Sequence, residues 1–439
     1  MTTILAFAFV LGVLVFVHEL GHFMMARWHG VRVLTFSLGF GPKIVSVRRG
    51  DTEYRISAFP LGGYVKMAGE NPEDQRTGAD DEFLSKSKWQ RFQILIMGPV
   101  MNLALAVVLL AVVLMQGDRV PVFEDQPVVI GRIEPASPAE RAGLRPGDRI
   151  LKVNAEDVPN WDQFSLAIGM RADRDVELTV LRDGREERVA IRPEGEGRFD
   201  VGNIGVSPDI YPFVSMVEEG GPAAAAGLTI GDVILAINGK RVVFTRDVVD
   251  LVSAHPEDAI EMRVRRGGKD LTVVLTPRKE GDVGRIGIGI ENETVTLHPG
   301  PLEALGLSVQ RNVRFSGLIL QTLWGLIIGE TSPKQLMGPV GMAQLSGESA
   351  QAGWVALFSL MATISLNLGL LNLMPVPVLD GGHILIMALE TVARRDFSIQ
   401  VKEKMFLAGF VLLMGLMVTV IYNDLTRISW IEQLMPWRN

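Results

Sequence analysis

Four long apolar stretches decide the fold class of this chain: Ile4 to Ala26, Phe92 to Met115, Val355 to Leu373 and Met405 to Ile421. A helix of about 20 mainly apolar residues crosses the hydrocarbon of a bilayer, and inside lipid the backbone has to satisfy its own amides. Each stretch therefore predicts a spanning helix, the last one short but sufficient. At 439 residues the chain also has material for soluble modules between the spans. The first stretch carries the apolar core of a secretory signal. It lacks a positive leading segment, however, and Ala6-Phe7-Ala8 precedes the apolar run instead of following it, so a retained helix is expected.

Basic residues set the expected orientation. Arg27 to Arg91 contains eleven Lys or Arg, and the loop after the third span carries Arg394, Arg395, Lys402 and Lys404. The first three residues carry none, and the tail after Ile421 only Arg427 and Arg438. The positive-inside rule then puts both basic loops in the cytoplasm, and both termini and the long middle segment outside. The net charge of -7, with no long basic run, argues against a nucleic-acid partner. The absence of cysteine excludes disulfides, thiolate ligands and a Cys nucleophile, so a metal here needs His and carboxylate ligands.

That requirement meets a motif in the first span. His18, Glu19 and His22 spell HExxH, and at four residues' spacing both imidazoles leave one face of a helix about a turn apart. Both can reach one tetrahedral Zn²⁺, with Glu19 beside the open position to take a proton from water. At about 1.5 Å per residue from Ile4, the site lies some 20 Å into the bilayer, toward its cytoplasmic side. A catalytic zinc holds three protein ligands, so one is missing. The leading candidate is Asp380, in a segment broken by Pro375 and Pro377 at membrane depth and followed by Gly381 and Gly382, which allow tight turns. Asp380 as a cap for the following helix is the plainer alternative, and His383 competes as the third ligand. His29, His255 and His298 lie in polar loops and rank lower. Asn372 is expected beside the site, holding substrate backbone or the oxyanion. Asn102 reads as a helix-packing amide.

The middle segment repeats itself. Ser137 to Val158 aligns without a gap to Gly221 to Val242, 84 residues on, with 11 of 22 positions identical. Each copy reads as a short helix closed by Gly143 or Gly227, a turn at Gly147-Asp148 or Gly231-Asp232, and a strand ending at Asn154 or Asn238. Val176 to Leu181 and Leu271 to Leu275 alternate as further strands. These residues resemble tandem PDZ domains, which bind extended peptides or C-termini by strand addition; a purely steric role in blocking the membrane site stands beside that reading. Between the first two spans, Lys43 to Arg49 and Glu53 to Phe59 are expected to pair across Gly50-Asp51 as a hairpin. The hairpin either dips into the bilayer or stays in the cytoplasm. From Pro301 to Gly329, Arg311, Arg314 and Gln321 interrupt an apolar run, predicting an amphipathic interfacial helix and not a fifth span.

HELGH in the first span, GPVMN (Gly98 to Asn102) in the second and NLMPVPVLDGGH in the third, with the repeated modules between, resemble the site-2 protease family of intramembrane zinc metalloproteases, most of all its regulator-of-sigma-E branch. The likeness extends to Phe36 to Pro42 and to PLGGYVKMAGE. It implies that His18, His22 and Asp380 bind Zn²⁺, that Glu19 is the general base and that Asn372 assists at the substrate. It also implies a bacterial inner-membrane setting, with a pre-cleaved anti-sigma factor or signal-peptide remnants as substrates.

The expected architecture is thus a four-span, polytopic α-helical membrane protein with a membrane-associated β-hairpin and two tandem PDZ domains outside the cytoplasm. Its parts are residues 1-26, the first span; 27-91, the hairpin loop; 92-115, the second span; 120-198 and 199-290, the PDZ pair; 300-354, an amphipathic juxtamembrane region; 355-383, the third span; and 405-421, the fourth. Single-span membrane proteins, peptide ligands of the PDZ pair and the lipid bilayer are the expected partners. A catalytically idle scaffold, a Zn²⁺ transporter and a processing peptidase of other targets are the rival functions.

Overall fold

The structure, a computed structural model, describes residues 2–70, 77–121, 123–124, 126–197, 200–292, 294–329, 331, 334 and 336–426. Arg427 and Arg438, used above for orientation, and the expected module boundary at 198/199 lie outside the described residues. The chain divides into two compact units, Met1–Gly117 with His298–Trp324 and Leu336–Asn439, and Asp118–Leu297 with Gly325–Gln335.

In the first unit four helices are long and apolar enough to cross a membrane: Thr3–Trp28, Lys88–Met115, Trp354–Asn372 and Ile399–Thr426. The last is longer at both ends than its apolar run, because the charged residues of Gln400 to Lys404 are good helix formers that hydropathy alone does not register. The second starts at a capping box, in which the Ser87 hydroxyl accepts from the Gln90 amide and the Gln90 side chain accepts from the Ser87 amide. It meets the first helix at Gly21, where a Cβ would stand 2.4 Å from the Met97 carbonyl oxygen. Val10, Leu14, Leu109, Met361 and Ala362 form the core shared by the first three. Trp28 and Trp89, 83% and 65% exposed, sit at adjoining ends of the first two helices, as an aromatic belt at a membrane interface does.

The segment between these two helices is more than a hairpin. Lys43 to Arg49 pairs antiparallel with Thr52 to Ser57 around Gly50, as the sequence predicts. Thr35 to Leu38 then lies beside Glu53 to Ile56 with matching direction, Thr35 opposite Glu53 and Leu38 opposite Ile56. The other side of Thr35 to Leu38 pairs antiparallel with Gly63 to Lys66. Four strand segments result, with Gly63 to Met67 at one edge. Gly39 and Gly62, both at positive φ, make bends where the sequence reads only as loop. The Gly63 edge faces the first helix, where a Cβ on Gly63 would come within 2.8 Å of Val15 and 3.0 Å of Glu19.

Two further helices replace the single amphipathic region. Pro301–Ile327 runs unbroken through Arg311 and Arg314. Its Ala304 packs on Ala111 and Leu114, and its Ser308 hydroxyl donates to the Val107 carbonyl at 2.7 Å. Leu302, Val313 and Trp324 stay exposed. Pro339–Ala352 packs on the first helix, and its start is capped by the buried Asp424 carboxylate, which accepts from the Gly338 and Gly341 amides. The third apolar segment also differs from a span running to residue 383. Its helix stops at Asn372, and a separate helix, Asp380–Val392, begins beyond the prolines.

The second unit holds two copies of one module. The helices Pro138–Arg141 and Trp161–Gly169 recur as Pro222–Ala225 and Thr245–Ser253, and the strands Arg149–Val153, Val176–Arg182 and Arg185–Ile191 recur as Val233–Ile237, Ile260–Arg266 and Lys269–Leu275. Each copy has its own core, one around Trp161, Phe164 and Leu178 and the other around Ile234, Met262 and Val248. Both bury an aspartate with the same partners. Asp148 accepts from Arg182 at 2.8 and 2.6 Å and from the Arg145 amide; Asp232 accepts from Arg266 at 2.6 and 2.7 Å and from the Thr229 amide.

Candidate metal centre

The first span carries His18 and His22 on one face of an unbroken helix with Glu19 beside them, all three less than a tenth exposed. Asp380 reaches them from the break in the third apolar segment. Leu373 to Leu379 folds back on the start of the next helix, so closely that a Cβ on Gly381 would lie 2.3 Å from the Leu373 carbonyl oxygen and one on Gly382 2.1 Å from that of Val376. The two glycines are therefore helical residues made bare by close packing. Leu379 is the N-cap and uses no side chain, and Asp380, the first helical residue, turns its carboxylate toward the imidazoles.

His18 Nε2 lies 3.2 Å and His22 Nε2 3.5 Å from Asp380 Oδ2, and the two Nε2 atoms are 3.3 Å apart. A tetrahedral ion with bonds of about 2.1 Å separates its ligands by about 3.4 Å, so these donors already form one face of such a polyhedron. The outer ring nitrogens are occupied elsewhere. His22 Nδ1–H donates to the Ile94 carbonyl at 2.8 Å, which leaves the Nε2 lone pair facing inward. His18 Nδ1 faces the Asn102 side chain at 3.3 Å. Lone pairs and a carboxylate converging at these distances repel one another unless a cation sits among them. Two imidazoles and one carboxylate with a fourth side open fit a catalytic zinc. Among the described residues no other cluster of three His, Asp or Glu donors comes together this way.

The centre forms the wall of a cavity. Glu19 lines it beside the donors, with the Val65 backbone amide facing its carboxylate. Gly63, Tyr64 and Val65 bring the sheet edge to the same space. The cavity also reaches Arg91, Glu390 and Lys402, so part of its wall is polar. Lys402 donates to the buried Glu390 carboxylate at 2.7 Å. His383 faces the cavity one turn beyond Asp380, its ring against Phe406, and is not among the converging donors. Asn372 ends its helix half-buried and is not among the residues lining the cavity.

Three contributors escaped the sequence reading. The Ile94 carbonyl has no side-chain signature. Gly98 leaves the space the imidazoles fill, since a Cβ there would stand 2.3 Å from His22 Nε2 and 2.9 Å from the His18 ring. Asn102, read as a packing amide, is fully buried against His18. The last two belong to GPVMN, so the motif was visible while the partner it serves was not.

Residues 6–416 match the model of Peptidase family M50. The chain belongs to that family. A Vibrio cholerae protein named as a zinc metalloprotease is 35% identical over 97% of this chain and 98% of its own length. Regulator of sigma-E protease RseP of Escherichia coli is 34% identical over 96% and 98%. A solved PDZ domain of an SdrC-like protein from Listeria monocytogenes covers 19% of this chain and 90% of that domain at 23% identity, with a TM-score of 0.18, too slight a likeness to argue from. As an M50 member the chain is a zinc metalloprotease of the site-2 protease type, and its four apolar helices fit a membrane protein.

Proposed function

We propose that this M50 protease cuts peptide bonds in or near the transmembrane segments of single-span membrane proteins, with His18, His22 and Asp380 as zinc ligands and Glu19 as general base. The observation that carries the reading is the donor triangle of 3.2, 3.3 and 3.5 Å beside a buried Glu19, in the second half of an apolar helix. Zinc held there supplies a Lewis acid for the scissile carbonyl and acidifies water. Glu19 takes the proton from that water and returns it to the leaving amine. His22 and Asp380 stay fixed through their own hydrogen bond and helix start, so little reorganisation is needed as charge develops.

A helical substrate has its carbonyls committed to internal hydrogen bonds and must unwind first. The edge from Gly63 to Met67 lies at the cavity, and we assign to it the backbone pairing with the unwound strand. The Val65 amide facing Glu19 supports the assignment, because it shows the backbone of this strand turned toward the cavity on its unpaired side. Asn372, at the open end of its helix, is assigned to the substrate backbone on the family resemblance.

The basic residues of the loops support an active site toward the cytoplasm of a bacterial inner membrane, with the termini and the repeat modules in the periplasm. The modules read as tandem PDZ domains of residues 120-198 and 199-290, which take peptide ligands or gate substrates by size. A pre-cleaved anti-sigma factor in an envelope stress response fits this arrangement, as do signal-peptide remnants. Purified protein loaded with zinc in detergent should cleave a model single-span peptide, with products identified by mass spectrometry. Glu19→Gln should keep its zinc and lose about 10²–10⁴-fold in rate. Undiminished cleavage by that variant would remove Glu19 from the mechanism, and a wild-type protein that binds zinc yet cuts nothing would favour the scaffold or transport readings.

A further inference from the structure

Resting on the zinc-protease reading, we infer that Asn102 is a positioning residue that fixes His18 in the tautomer able to bind metal. His18 has two ring nitrogens, and in the neutral ring only one offers a lone pair. Its Nε2 points into the donor triangle, 3.2 Å from Asp380 and 3.3 Å from His22 Nε2. For Nε2 to ligate, the proton has to sit on Nδ1, and Nδ1–H needs an acceptor. The group it meets, at 3.3 Å, is the side-chain amide of Asn102.

Asn102 is fully buried, and its Oδ1 has no hydrogen-bond partner when Nδ2 is placed toward the ring. Nitrogen and oxygen of such an amide are distinguished only by their hydrogen bonds. Turned over, Oδ1 accepts the Nδ1–H of His18, and Nδ2 takes the place Oδ1 had held. The backbone is pinned as well, because the Ser365 hydroxyl donates to the Asn102 carbonyl at 2.8 Å and ties the third span to this point of the second. The two imidazoles are thereby oriented alike, His22 by the carbonyl of Ile94 and His18 by the side chain eight residues later on the same helix. Such outer partners set ring angle, tautomer and ligand basicity at metal centres.

The test is zinc affinity, measured on the full-length protein in detergent by competition with a chromogenic chelator, with the d–d absorption of the cobalt-substituted protein as a second readout. Asn102→Leu keeps the volume and removes the acceptor, and should weaken zinc binding about 10–100-fold and alter the cobalt spectrum. Asn102→Ala removes the acceptor at smaller volume and should do the same, should the leucine form fail to fold. Asn102→Asp, ionised, keeps an acceptor for the Nδ1–H, so it should bind zinc more tightly than the Leu and Ala variants and stay within about tenfold of wild type. Wild-type affinity in folded Leu or Ala variants, or an Asp variant as weak as they are, overturns the inference and leaves the protease reading intact. A wild-type protein that takes up no zinc at all overturns the protease reading itself.

Discussion

The metal centre and the repeat modules both draw aspartates out of open solvent, Asp380 half-buried and Asp148 and Asp232 fully so, and they do so to opposite ends. Asp148 and Asp232 each face an arginine that forks onto both carboxylate oxygens, and each also takes a backbone amide, so the charge is matched and the lone pairs are used. Asp380 faces two imidazoles whose inward nitrogens are acceptors once their outer nitrogens carry the protons. The first arrangement is complete without anything else. The second leaves its inward lone pairs unmatched until a metal ion or a proton sits among them, and its open side gives onto a cavity lined by Glu19. What separates a structural carboxylate from a functional one here is whether its neighbours leave something unmatched.

Removing each carboxylate breaks the comparison most strongly. Asp380→Asn should abolish cleavage and weaken zinc by more than the roughly 10–100-fold typical of a lost outer partner, since a ligand itself is gone. Metal analysis and a cleavage assay of one preparation check both effects. Retained stoichiometric zinc in Asp380→Asn would move the third ligand elsewhere, with His383 the next candidate by position.

Gly98→Ala probes the same centre by space instead of charge. Its new Cβ would fall 2.3 Å from His22 Nε2, far inside contact distance, and on the second helix the nearby Pro99 and the crossing at Gly21 leave little room to retreat. Zinc affinity should fall at least about tenfold, with cleavage falling alongside. Gly317→Ala, in open space on the Pro301–Ile327 helix, is the matched control and should leave both unchanged.

On the structural side, Asp148→Ala should cost the first module about 2 kcal/mol, nearer to a charged hydrogen bond than to a sealed ion pair because Arg182 reaches the surface. Protection from hydrogen exchange in Val176–Arg182 would drop, while zinc binding and cleavage of a short model peptide should stay at wild-type levels. An equal loss of zinc would mean that the two kinds of carboxylate are coupled after all.

Legibility in the sequence followed the same divide. The spans were readable because lipid demands apolar length, and HExxH because helical spacing alone sets two imidazoles side by side. The repeat was readable from identities such as Asn154 and Asn238, which hold equivalent positive-φ positions at strand ends. What sequence could not give was partnership at long range. Asn102 and Ile94 serve residues 84 and 72 positions away, and nothing local marks them. The strands at Thr35 and Gly63 were hidden for a related reason. Their glycines look like loop punctuation, yet they let one short segment pair on both sides. The break after Asn372 was expected from its prolines, but the tight return of Leu373 to Leu379 over Gly381 and Gly382 depends on packing that no window of sequence contains.

The smallest effect expected is an acid-dependent loosening confined to the modules. Burial pushes the Asp148 and Asp232 carboxyls up, but their arginines, with the Arg145 and Thr229 amides, outweigh it and hold both below the ordinary carboxylate value. A group whose folded pKa is depressed contributes stability that is whole above its unfolded pKa, about 3.9 for Asp, and fades as pH falls toward the folded value. Hydrogen exchange of the full chain in Val176–Arg182 and Ile260–Arg266 should therefore give opening energies that are flat from neutral pH to about 4 and decline below it. Asp148→Ala should flatten the decline in the first segment and leave the second as it was, since each aspartate serves its own copy. A decline that starts well above that pH, or one that survives in both segments of the variant, would show that some other group controls the acid response of this unit.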